Sequence, residues 1–259
     1  MRKFLAVALL AASASLRADV VTLPAAASIV GGSPFFSDVR AFNTSYTAGM
    51  NVTGTYRCFI ATVACPVVAP QIHFTLAPRE SKAFNDICAG AFNSPDTAGG
   101  VEFEFDGAEE QLVVTSRLYS TFPYDSVGMF IPGLDESAAH PATVLTYIRH
   151  DVATSFAAGF RTNVGVFNPG DAAATVSFTI FDNGTDQAGV PVVRTVPGHS
   201  GLQVSGVFEA AGAAAVSTQN AVIVVSAATP VFSYAAVLDN ATADPIFVLG
   251  AKDQPPPTP

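Results

Sequence analysis

Short runs in which hydrophobic and polar residues alternate recur along the chain, the two-residue period of strands with one buried face. Ala174 to Phe181 is the clearest: Val176, Phe178 and Ile180 alternate with Thr175, Ser177 and Thr179, and the run turns at Asp182-Asn183-Gly184, a hairpin signal. Phe160 to Pro169 reads Phe-Arg-Thr-Asn-Val-Gly-Val-Phe-Asn-Pro. It predicts a strand with Thr162, Val164 and Val166 on one face, closed by an Asx-type turn. Phe35 to Thr44 echoes it, with Phe35, Val39, Phe42 and Asn43 answering Phe160, Val164, Phe167 and Asn168.

The echo continues in one order through both halves. Val20-Val21-Thr22-Leu23 and Val144-Leu145-Thr146-Tyr147 precede the two Phe-Asn strands. Phe74-Thr-Leu-Ala-Pro answers Arg194-Thr-Val-Pro-Gly, and Val101-Glu-Phe-Glu-Phe answers Ala221-Val-Ile-Val-Val. Leu112 to Tyr119 answers Pro230 to Leu238, and Met129-Phe-Ile-Pro-Gly answers Ile246-Phe-Val-Leu-Gly. Ala210 to Gln219 is Ala-rich and has room for one short helical turn. The fold expected is all-β: two tandem immunoglobulin-like β-sandwich domains from an internal duplication, each about 100 residues. The repeats are placed at 20–134 and 144–250, with a linker at 135–143 short enough for the two to touch and a Pro-rich tail at 251–259.

Composition narrows the classes of function. Of 259 residues 49% are hydrophobic and 13% charged, enough for two cores, and Gly and Pro punctuate many short strands. A net charge of -9 leaves no basic footprint for nucleic acid or anionic lipid. Met1-Arg2-Lys3, an apolar run from Phe4 to Ala12 and small residues after it predict a signal peptide over 1–18, cleaved after Ala14 or Ala18. No later apolar run is long and unbroken enough to span a bilayer, so no membrane insertion is expected after cleavage, and the protein is expected in the periplasm or outside the cell.

Three cysteines lie in the first half. Cys58 and Cys65 are expected to pair, a local staple worth about 2–3 kcal/mol in the loop-entropy account. Cys88 then remains, read as a small buried apolar residue, with intermolecular pairing or a nucleophilic role as the alternatives.

The run Phe-Arg-Thr-Asn-Val-Gly-Val-Phe-Asn-Pro, followed by Val-Pro-Gly-His-Ser-Gly-Leu-Gln-Val and Tyr-Ala-Ala-Val-Leu-Asp-Asn-Ala-Thr-Ala-Asp-Pro-Ile-Phe-Val, resembles a group of uncharacterised exported bacterial proteins built from tandem immunoglobulin-like β-sandwich repeats. The resemblance covers nearly the whole chain after the signal peptide and is clearest in the second copy. It implies fold and compartment and carries no activity to transfer.

Candidate chemistry is sparse. His73, His140, His150 and His199 show no metal-ligand spacing, and there is no Gly-x-Ser-x-Gly elbow. Glu102, Glu104 and Asp106 alternate with Val101, Phe103 and Phe105 and are read as the solvated face of a strand. Asp182 with Asp186, and Asp239 with Asp244, are weak calcium candidates, since oxygen ligands at alternating loop positions suit a hard cation. The segment Ser45 to Pro70 is expected to be a long loop with Tyr46, Met50, Tyr56, Arg57 and Phe59 available for contact. No cofactor and no catalytic residue is expected. The function expected is a non-enzymatic structural or adhesion/interaction module whose partner is a protein or polysaccharide at the cell surface. A carbohydrate-binding module using Tyr46, Tyr56, Tyr119 and Tyr124 is the alternative, although the chain has no Trp. A secreted hydrolase needs a pocket joining His150 or His199 to acids of the other domain.

Overall fold

The computed structural model describes residues 19–30, 34–108, 110–121, 126–152 and 158–253. The expected signal peptide, Tyr124 and the Pro-rich run 254–259 lie outside the described residues.

The first half holds β1 (Asp19–Ile29), β2 (Phe35–Asn43), β3 (Met50–Ala61), β4 (Gln71–Leu76), β5 (Ser81–Phe84), β6 (Thr97–Phe105), β7 (Leu112–Ser120) and β8 (Val127–Pro132). They pair antiparallel in the order β4-β3-β6-β1-β2-β7-β8, with β5 on β2. β1 joins the two layers: it follows β6 up to Ser28 and reaches β2 at Ser28 and Ile29. Its register shifts between Leu23 and Ala26, where Pro24, which has no ladder donor, is accommodated.

The second half holds β9 (His140–His150), β10 (Phe160–Asn168), β11 (Ala174–Asp182), β12 (Asp186–Val196), β13 (Ser200–Val204), a one-turn helix α1 (Val207–Ala210), β14 (Thr218–Asp239), β15 (Pro245–Leu249) and β16 (Ala251–Lys252). β14 is a single strand of 22 residues. Its first part lies between β11 and β9, and its second part between β10 and β15. The pairings β12-β11-β14-β9 and β13-β10-β14-β15 thus run parallel to β4-β3-β6-β1 and β5-β2-β7-β8. Val39 sits between Phe84 and Ser116 as Val164 sits between Val204 and Ala235.

Local chemistry explains the strands. Val176, Phe178 and Ile180 are buried while Thr175, Ser177 and Thr179 face outward to varying degree. Asn183 and Gly184 both take positive φ, the conformation a tight hairpin turn requires and these residues tolerate. Asn43 and Asn168 do more than end their strands. The Nδ2 of Asn43 lies within hydrogen-bond distance of the carbonyls of Ala48, Leu76 and Ala77, and its Oδ1 accepts from the Ser45 N–H. Asn168 does the same with Ala172, Val196, Pro197 and the Gly170 N–H. Both are fully buried, so each clamps the turn after its own strand to the end of a distant one.

Several expected boundaries move. β9 begins at His140, inside the expected linker, because Ala142 and Thr143 pair with Ser226 and Val225 of β14. Ala251 and Lys252, the start of the expected tail, pair with Val144 and Thr143. The middle of the expected Ser45–Pro70 loop, Met50–Ala61, is β3, since Val52 and Tyr56 bury against β6. The helical turn, Val207–Ala210, lies at the start of the Ala-rich run and overlaps it only at Ala210. Among the described residues no helix is long and apolar enough to cross a membrane.

Candidate functional site

Two strands are buried on both faces: β1 from Val21 to Ser28, and β14 from Val231 to Leu238. An ordinary sandwich strand buries alternate residues, so a continuous buried run needs a second covering layer. Each half supplies it to the other. Tyr234, Ala236 and Leu238 pack into the first half's core beside Ala25 and Ala26, while Ala235 and Val237 belong to the second half's core. Close approach is set by glycine. A Cβ on Gly100 would lie 2.5 Å from the Phe167 ring, and one on Gly201 would lie 2.5 Å from the Phe59 ring. Phe59, Leu134, Phe167 and Phe232 form a small apolar cluster at this seam.

Beside it runs a polar chain. Arg57 Nε donates to Glu102 Oε2 at 2.7 Å, His199 Nδ1 meets Glu102 Oε1 at 2.9 Å, and His199 Nε2 meets Asp171 Oδ1 at 2.9 Å. β3 and β6 position Arg57 and Glu102, while the turn between β12 and β13 carries His199 at φ 47, held by its N–H bond to the Gly170 carbonyl. Glu102 is therefore not on a solvated face: it is 5% exposed because the second half covers it, whereas Glu104 and Asp106 remain exposed. Asp106 accepts from the N–H and the side-chain amide of Asn51, which holds its carboxyl below the usual range. For His199 the bond to Glu102 is the largest influence, and with Asp171 it raises the imidazole pKa against the opposing effect of burial.

A cleft of about 310 Å³ opens here, lined by Thr22, Glu102, Glu104, Glu136, His199 and Phe232 among others. This is the junction pocket that a hydrolase would need. Its chemistry is mostly occupied internally: both imidazole nitrogens meet carboxylates, both Glu102 oxygens are engaged, and no hydroxyl or thiol is hydrogen-bonded to His199 among the described residues. Among the described residues of this cleft no nucleophile is hydrogen-bonded to an adjacent base. His150 lies elsewhere, buried in the second half with its ring stacked on Phe208 at 4.4 Å.

The remaining candidates separate. Cys58 and Cys65 form a disulfide. Cys88 is free and buried, and burial pushes its thiol up to about 12. Of the expected contact residues, Tyr56 is fully buried with its hydroxyl on Thr97, Arg57 is paired with Glu102, Phe59 packs at the seam and Met50 is buried in the core. Tyr46 alone is well exposed, with the Arg79 guanidinium 4.6 Å from its ring centroid. Asp182 accepts from Thr218 and faces Asp186 across the hairpin; Asp239 accepts from the Ala241 N–H, and its own N–H donates to the Asp244 carbonyl. Among the described residues no three His, Cys, Asp or Glu side chains converge as a metal set. Sequence reasoning missed Val63, Val67 and Val68, which are 95%, 103% and 79% exposed around the disulfide. Their signal was an apolar run between Cys58 and Pro70 that follows no strand period. Comparison with family models, with curated proteins and with solved structures finds nothing that matches this chain.

Proposed function

We propose that the chain is an exported, non-enzymatic structural or adhesion/interaction module acting at the cell surface or outside the cell, built of two tandem immunoglobulin-like sandwiches from one duplicated unit. The parallel strand pairings and the paired Asn43 and Asn168 clamps support the duplication. The basic then apolar first residues support export, and the disulfide agrees with an oxidising compartment. The observation that carries the interaction role is the stapled tip after β3. A disulfide ties it to a strand, and three of its valines stand in water within six residues of one another, where a contiguous apolar patch would mark a contact surface. The partner is a protein or polysaccharide.

The test is a glycan and matrix-protein array on the mature protein, with and without Ca²⁺, alongside capture from the surface of its own cell. The expected result is selective capture of one partner that Val63→Ser/Val67→Ser/Val68→Ser abolishes without shifting Tm. Binding that the triple variant leaves intact, or no binding in any arm, overturns the proposal.

The junction cleft favours a second reading, an acid-dependent hydrolase using Glu104 and Glu136. Turnover of a glycoside panel that Glu104→Gln removes would establish it; no turnover would eliminate it.

A further inference from the structure

The seam between the halves holds a second space, separate from the acidic cleft. It measures about 150 Å³, a volume in which an engineered apolar cavity holds benzene. Its first-half wall is apolar, with the small residues Ala25, Ala26, Ala27, Ala98 and Gly99 set among larger ones such as Phe35, Phe59, Leu118 and Met129. The opposite wall is one face of β10, β13 and β14, on which Arg161, Asn163 and Gln203 line the space together with Tyr234. That polarity is unusual for a seam between two packed sheets, where unpaired polar groups are costly.

Asn163 Oδ1 accepts from the Gly206 N–H, but Arg161 and Tyr234 are under-used by the protein itself. Among the described residues Arg161 donates only to the Asn240 side chain, and no carboxylate lies within ion-pair distance of it. Its guanidinium is half-buried, and that burial alone lowers its pKa, which an anion beside it would reverse. Tyr234 is 1% exposed, its ring lies across Gly165, where a Cβ would come within 2.1 Å of Cζ, and its hydroxyl has no hydrogen-bond partner among the described residues. The register places Arg161 opposite Leu238 and Gly165 opposite Tyr234, four residues along the ladder. The backbone positions that carry the cation and the hydroxyl therefore lie on rungs about 13 Å apart along the ladder.

We propose that this space is a binding site for a small aryl monocarboxylate, with its carboxylate on Arg161, its ring against the alanine wall and a polar ring substituent toward Tyr234 and Gln203. The charge complementarity is specific: Arg161 offers free N–H donors in a partly desolvated setting, where charge-assisted bonds are strong.

The probe is 4-hydroxyphenylacetate, titrated onto the full chain by ligand-observed NMR and by thermal shift, with 4-hydroxybenzyl alcohol as the uncharged control. Saturable binding is expected at a Kd of about 1 mM or tighter. Arg161→Gln, checked for an unchanged Tm, and the alcohol control should each weaken binding about 10- to 100-fold. Ala26→Leu, which fills the space from the apolar wall, should abolish it. Because that variant could also loosen the seam, the Arg161→Gln comparison decides. No saturation by about 10 mM, or equal affinity in wild type and Arg161→Gln, overturns the assignment.

Discussion

At the scale of single residues, the two buried asparagines carry the most weight for their size. Each amide reaches carbonyls 28 to 34 residues further along the chain as well as one in its own turn, so one side chain closes a turn and anchors a strand end at once. Asn168→Asp replaces the donating amide with a group that only accepts when ionised, beside three carbonyl oxygens. It is expected to destabilise the fold by about 3 kcal/mol or more, measured by chemical denaturation. The turn role was legible in Phe-Asn-Pro and Phe-Asn-Thr; the clamp was not, because its acceptors lie on strands that only the fold brings near. Cys88 is the reverse case, since a small apolar environment was readable from Asp-Ile-Cys-Ala-Gly. Its buried, poorly ionised thiol should resist a thiol reagent in the native protein and react as one equivalent only after unfolding. Rapid native labelling would show that the segment Ile87–Ala91 opens.

Among elements, alternation told which residues face inward but not what covers the outward face. Val101, Phe103 and Phe105 lie on the buried face of β6 as their period predicts. Glu102 shares the opposite face with Glu104, yet one is covered by the second half and the other is not. No short-range pattern encodes that difference, because the cover is a turn about a hundred residues away in the chain. The continuous runs Ala25-Ala26-Ala27 and Tyr234-Ala-Ala-Val-Leu did carry a signal of two-sided burial, in strands without a polar phase. The imidazole linking the halves gives a pH dependence with a definite sign. A raised folded-state pKa means that His199 contributes stability below its unfolded value, about 6.5, and that this is lost as pH rises through the folded value. The groups around it are Glu102, Asp171 and Arg57. Wild type should therefore lose more Tm than His199→Gln between pH 6 and pH 9; parallel profiles would show that the contact does not hold the charged form.

For the whole molecule, the halves are less separable than their matched sequences imply. Each has its own core, but the second half's Tyr234, Ala236 and Leu238 are counted in the first half's, and Phe59 and Phe167 reach across to glycines on the opposite side. That the chain is all-β was legible because strand period and turn residues are local. The depth of the seam, the polar chain beside it and the exposed valine tip were not, because they depend on how two sheets meet. A body docked in this way would present the tip after β3 at a fixed orientation, as the proposed interaction role requires. The measurement that tests this most directly is scanning calorimetry of residues 19–253. The shared core predicts one transition with equal calorimetric and van't Hoff enthalpies. Two resolved transitions, each assignable to one half, would contradict it.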